Sequence, residues 1–187
     1  MALSCSLNKS ILKKSSCGYS LASVSDVYLA NRSDIDSITR NIGAEGECSG
    51  EISAITLSAD AKWSHIETAK GTSSFTDALT KQDNGSSYRT HSLSFSIAGA
   101  YTPSMACVVD ALSLGNFVAV VRLVSGNFVM LGSENAGLEA TTVSHVGAAS
   151  SSDFNGLQVE MSCDLGEVAL PLSSEAIDAL LANIYED

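Results

Sequence analysis

Beyond Arg122 the chain contains no lysine or arginine. All ten bases lie in residues 1–122, where eleven acids offset them, whereas residues 123–187 carry ten acids, so the formal charge of -11 divides into -1 and -10. This excludes a polyanion-gripping surface from the final third. A one-signed field there instead repels nucleic acid that comes within a Debye length, about 8–10 Å at physiological salt. Aromatic residues make up only 6% of the chain, which disfavours an aromatic-packed enzyme core and fits strands built from small and β-branched residues. Prolines are limited to Pro103 and Pro171, each just ahead of an apolar helical pattern. No run of about 18 consecutive apolar residues occurs, so no membrane-spanning helix is expected and the chain is expected to be soluble. The opening Met1-Ala2-Leu3-Ser4-Cys5 lacks the basic and apolar regions of a secretory signal. Cys5, Cys17, Cys48, Cys107 and Cys163 are odd in number and form no C-x-x-C pair, which argues against a disulfide framework or a paired zinc site and for a reducing cytosol.

Catalytic signatures are equally sparse. No G-x-S-x-G elbow, Walker loop or G-x-G-x-x-G occurs, so nucleophilic hydrolysis and phosphate cradling have no sequence support. His65-Ile66-Glu67 matches one half of a zinc-deaminase signature, but the P-C-x-x-C half is missing. Asp153-Phe154-Asn155-Gly156 lacks the remaining ligands of a calcium loop and reads as a turn. Lys9, Lys13 and Lys14 are too few for a nucleic-acid groove but suit the acidic end of a neighbouring subunit. No catalytic residue, cofactor or metal is expected.

At 187 residues the chain is long enough for a single domain that buries roughly 70% of its unfolded surface. A strand is expected over residues 21–30. Ser33 then reads as the N-cap of a short helix with Ile35, Ile38 and Ile42 on one side and Asp34 and Asp36 in its first turn. Strands follow at residues 52–57, 63–68 and 88–97, the last alternating Leu93, Phe95 and Ile97 with serines. Residues 69–87 read as a long connection, so residues 63–98 are expected to bear a projecting arm. Thr102-Pro103 opens a helix with Met105, Val108, Val109 and Leu112 on one face and Gly115 as its stop. A hairpin about Ser125-Gly126-Asn127, an alternating pair at residues 137–146 and 156–163, and a C-terminal helix capped by Ser173 complete the pattern. The fold class is mainly β (α+β), an antiparallel sandwich or barrel with a packed central helix and a C-terminal helix.

This order of elements resembles that of phage tail tube proteins. The likeness is carried by Phe117-Val118-Ala119-Val120-Val121, Ser125-Gly126-Asn127-Phe128-Val129-Met130-Leu131-Gly132, Gly137-Leu138-Glu139-Ala140-Thr141-Thr142 and Asp153-Phe154-Asn155-Gly156. The start of the chain is also similar to openings of virion structural proteins of gut Bacteroides phages. The resemblance implies a structural, non-enzymatic virion protein assembled in the host cytoplasm. Its sheet would join copies into hexameric rings, and the rings would stack into a tube through which DNA passes without specific binding. The implied partners are other copies of the chain and other virion proteins, with no membrane. Glu134, Glu139, Asp153, Glu160 and Asp164 are then candidates for the lumen wall. Trp63, Ile66, Phe75, Leu79 and Tyr88 are candidates for contacts between subunits or rings, the alternative being that they pack on their own chain. Competing readings are a neck or baseplate component, a monomeric β-sandwich module for carbohydrate, and an enzyme with an unrecognised carboxylate pair.

Overall fold

Two kinds of apolar pattern in the chain lead to two kinds of strand. In a computed structural model, residues 23–42, 50–69, 71–147 and 154–185 are described. The strands are β1 (Val24–Asn31), β2 (Ile35–Ile42), β3 (Gly50–Leu57), β4 (Ser64–Glu67), β5 (Ser74–Lys81), β6 (Ser87–Ala98), β7 (Asn116–Leu123), β8 (Phe128–Leu131), β9 (Leu138–Val146) and β10 (Gly156–Leu165). The helices are α1 (Pro103–Leu114) and α2 (Ser174–Leu181). The main sheet runs β4-β1-β7-β9-β10-β6-β5, with β8 beside β7, and β2 and β3 form a separate pair. Every pairing between these strands is antiparallel. The fold is therefore mainly antiparallel β with two helices, as the sequence pattern implies.

β1, β7 and β8 are apolar on both faces because both faces are covered. Val27, Leu29, Ala119, Val121 and Leu131 enter a first core together with Leu93, Phe95, Leu157, Val159 and Met161 of the opposite layer. Tyr28, Ala30, Val118, Val120, Phe128 and Met130 enter a second core under β2, β3 and α2, with Ile35, Ile38, Ile52, Trp63 and Leu180. The segment before α2 sews this second layer down. Leu172 donates its amide to Phe128 O (3.0 Å), Ile52 donates to Pro171 O (2.8 Å), and Ser173 donates to Ile52 O (2.9 Å). α2 then starts where expected, with the Ser173 hydroxyl accepting the Ala176 amide.

α1 also matches its sequence signals: the Thr102 hydroxyl accepts the Met105 amide, Pro103 opens the first turn, and Gly115 ends it. Leu112 is buried, and Met105 and Val109 pack on the first core. Val108, however, is 41% exposed and does not share their face.

Two expectations fail. The segment after Ser33 is not a helix: residues 32–34 make one 3-10 turn, and residues 35–42 form β2. Its register with β3 slips between Ile35 and Ser37. That bulge places Ile35 and Ile38, three residues apart, on the same buried side and so imitates helical spacing. Residues 69–87 are likewise not a free connection, because β5 runs through the middle of them and pairs along its length with β6. The true turn is short, with Gln82 donating to Ser86 O and Gly85 donating to Gln82 O.

Candidate functional site

The layer β9-β10-β6-β5 is covered on its inner face by β1, β7, β8 and α1, while its outer side chains, apart from the buried Ser96 beside Thr72 and Phe154, have no covering element among the described residues. Cross-strand register arranges these outer residues in rows. One row is Ser74, Ser94, Glu160 and Thr142, and the next is Thr76, Ser92, Ser162 and Glu139. Flanking rows hold Ser96, Gln158 and Ser144 on one side and Ala78, Thr90 and Asp164 on the other. The surface is thus a field of small hydroxyls with three carboxylates and one amide, and the Arg32 guanidinium stands at its margin, lining a depression with Glu139, Ser162 and Asp164. Two shallow open depressions lie in it, one around Ser92, Ser94 and Glu160 and one around Ser96, Thr142 and Gln158. Neither converges polar groups on a point.

Glu139, Glu160 and Asp164 are therefore brought together on one wet face. Glu139 accepts from Asn116 Nδ2 at 2.8 Å, and Asp164 accepts from Thr90 Oγ1 at 2.6 Å. Their charge is felt nearby: the half-buried Cys163 thiol is pushed up to about 12, first by burial and then by Asp164 and Glu139. Glu134 stands apart from this face. It lies in the β8–β9 turn and makes a two-pronged contact with Arg40 (2.8 and 3.0 Å), which also pairs with Glu167 at 2.9 Å. Those hydrogen bonds hold the Glu134 carboxyl below its ordinary range despite partial burial. It clamps β2 onto the turn through Arg40 and so is a paired carboxylate, unlike the other candidates for the lumen wall on β9 and β10. Asp153 lies outside the described residues.

The expected contact residues also separate. Trp63 is 2% exposed, inside the second core, and its backbone exchanges hydrogen bonds with Asn183 and Tyr185. It packs on its own chain, so its assignment to a subunit contact is corrected. Ile66 and Phe75 lean on the first core and are half-buried. Leu79, at 52% exposure on edge strand β5, and Tyr88, half-buried at the outer margin of β6, remain at the surface.

Behind the wet face, the inner rows change from apolar to polar along the strands. Phe75, Leu93, Met161 and Ala140 make one row, and Asp77, His91 and Cys163 make the next. Asp77 Oδ1 accepts from Arg89 Nε at 2.6 Å, and its Oδ2 accepts from the Ala169 amide at 3.0 Å. Burial raises the Asp77 carboxyl, but Arg89, the Ala169 amide and His91 outweigh it and leave it below its ordinary value. His91 is 1% exposed. None of these three was identified as a site residue in the sequence, yet the signal is present: Arg89 and His91 lie in phase with Leu93, Phe95 and Ile97, so a strand with those residues inside must take both polar groups in as well.

The described residues contain no cluster of three or more His, Cys, Asp or Glu that could hold a metal ion. No described helix is long and apolar enough to cross a membrane. Comparison with known protein families, with curated proteins and with solved structures finds no match.

Proposed function

We propose that this chain is a virion structural protein of the tail-tube kind, in which β9, β10, β6 and β5 of successive copies form the wall of a passage for DNA. The observation that carries this reading is the uncovered outer face of that layer. Its small hydroxyls make no grip on a polymer, and Glu139, Glu160 and Asp164 repel phosphates, outnumbering the one base at the margin, Arg32.

The edges of the layer support the same reading. Among the described residues β5 is paired only with β6, and β9 meets β7 only at Leu138 and Glu139, so both ends of the layer offer backbone unpaired by any described strand. Four antiparallel strands alternate in direction. With an even number, β5 of one copy meets β9 of the next antiparallel, and a head-to-tail joint of this type forms a ring when the rotation per copy closes. A carbohydrate module would offer a platform of aromatic rings for stacking, whereas among the described residues the wet face has Tyr88 at one margin and Phe154 beside Ser96 and Gln158.

Light scattering after size-exclusion chromatography, with negative-stain imaging, tests the proposal. Annular or tubular particles are expected, and Leu79→Lys at the β5 edge should reduce them while leaving the monomer folded. A protein that stays monomeric at every accessible concentration overturns it.

A further inference from the structure

His91 connects parts of the molecule that otherwise belong to different layers. Its Nδ1 accepts the Gly132 amide at 3.2 Å, which fixes the ring proton on Nε2. Among the described residues that buried Nε2 has no hydrogen-bond partner, because Asp77 Oδ1 lies 3.7 Å away and is engaged with Arg89. Gly132 begins the β8–β9 turn in the left-handed region, at φ +86°. The turn closes on itself through Ser133, whose amide donates to Ala136 O (2.8 Å) and whose hydroxyl accepts the amides of Asn135 and Ala136. Glu134, in the same turn, holds Arg40 of β2. The chain of contacts therefore runs from the wall strand β6, through one imidazole, to the turn and on to the second sheet.

We infer that His91 is a pH-sensitive latch: the neutral imidazole accepts the Gly132 amide and binds the β8–β9 turn to the wall layer, and the imidazolium, a donor at both nitrogens, releases it. Two donors facing each other across a buried contact leave the amide unsatisfied, and the Asp77 carboxylate, 3.7 Å from Nε2 and already engaged with Arg89, offsets the buried charge only in part. The ionisable groups around the ring are Asp77 from β5, Arg89 from β6, Cys163 opposite it on β10, Glu134 in the turn and Glu167 in the segment after β10. Asp77 and Glu167 favour the charged ring and Arg89 opposes it, but burial is the largest influence and lowers the imidazole below its ordinary value. The unfolded chain therefore takes up a proton before the folded one does. The latch contributes its full stabilisation above about pH 6.5, the unfolded value, and loses it as pH falls through the folded value.

The experiment is thermal unfolding of the full chain between pH 7.5 and 5 for the wild type and His91→Gln, whose amide oxygen still accepts a hydrogen bond but does not titrate. Below pH 6.5 the wild-type melting temperature should fall by roughly 3–5 °C per pH unit more than that of the variant, the effect of one proton on a chain of this size. Parallel slopes overturn the latch. Hydrogen exchange of the wild type, followed on the peptide covering residues 131–137 and corrected for the intrinsic pH dependence of exchange, decides the matter even if His91→Gln does not fold. Loss of protection at Gly132 on acidification supports the latch, and unchanged protection down to pH 5 overturns it.

Discussion

β7 and β10 lie in the same sheet and have similar lengths, yet one reads Phe-Val-Ala-Val-Val and the other alternates Leu-Gln-Val-Glu-Met-Ser. The difference follows from what lies on each side. β7 has a core on both faces from Phe117 to Val121, so each of those positions selects an apolar side chain, whereas β10 has a core on one face and solvent on the other. One strand is therefore pure scaffold, and the other holds half of its side chains available for contact with something outside the molecule. The contrast indicates where to look for function in a chain without catalytic signatures: in the half of the sheet whose outer side chains have been left without an apolar cover.

The sharpest way to break the comparison is to place the same change on both strand types. Val120→Asp puts a charge where neither face is wet, and we expect no cooperative unfolding transition and an insoluble product. Thr76→Asp, on the wet face, should melt within a few degrees of the wild type. Equal damage from both would mean that the outer face is covered after all. Next in size is Trp63→Ala, expected to cost about 3–5 kcal/mol in urea unfolding. If the monomer were unaffected and only assembly suffered, Trp63 would be a subunit contact and not core.

Arg40→Ala should cost about 1 kcal/mol, because its pairs with Glu134 and Glu167 are only partly shielded from water. Since Glu134 is depressed in the folded state, that contribution is present above about pH 4.5, the ordinary carboxyl value, and is lost as pH falls below it. Acid unfolding curves of wild type and Arg40→Ala should therefore converge at low pH. The smallest expected effect on stability, within about 0.5 kcal/mol per site, belongs to Glu139→Lys, Glu160→Lys and Asp164→Lys combined. Their effect on DNA should be the reverse: a wild type that does not retain duplex DNA in a filter or gel assay becomes one that does, with retention falling as salt rises. A triple variant that still ignores DNA would remove the electrostatic support for a wall.

Much of this architecture was legible because local signals and tertiary environment agree. Thr102, Pro103 and Gly115 mark α1, Ser173 marks α2, and the alternation of Leu93, Phe95 and Ile97 gives β6 together with its inner face. Legibility failed where a local irregularity changed the period. The bulge at Asp36 made a strand look helical, and in β5 an inward Asp77 between Phe75 and Leu79 broke the apolar alternation that would have revealed it. Burial of Trp63 could not be read locally because its cover, residues 183–185, lies some 120 positions further along the chain. Of the acidic residues, Glu139, Glu160 and Asp164 follow from strand parity. Glu134 does not, because its partner Arg40 is brought to it only by the packing of a separate sheet.

Cys163 has a chemical consequence of its own. With its proton held to about 12, only on the order of one sulfur in 100,000 is ionised at neutral pH, and the ionised form is the one that oxidants and alkylating reagents attack. Burial, reinforced by the carboxylates beside it, thus acts as a chemical preservative for the strand that carries this thiol, while the exposed Cys107 on α1 is left as the more accessible of the two described cysteines.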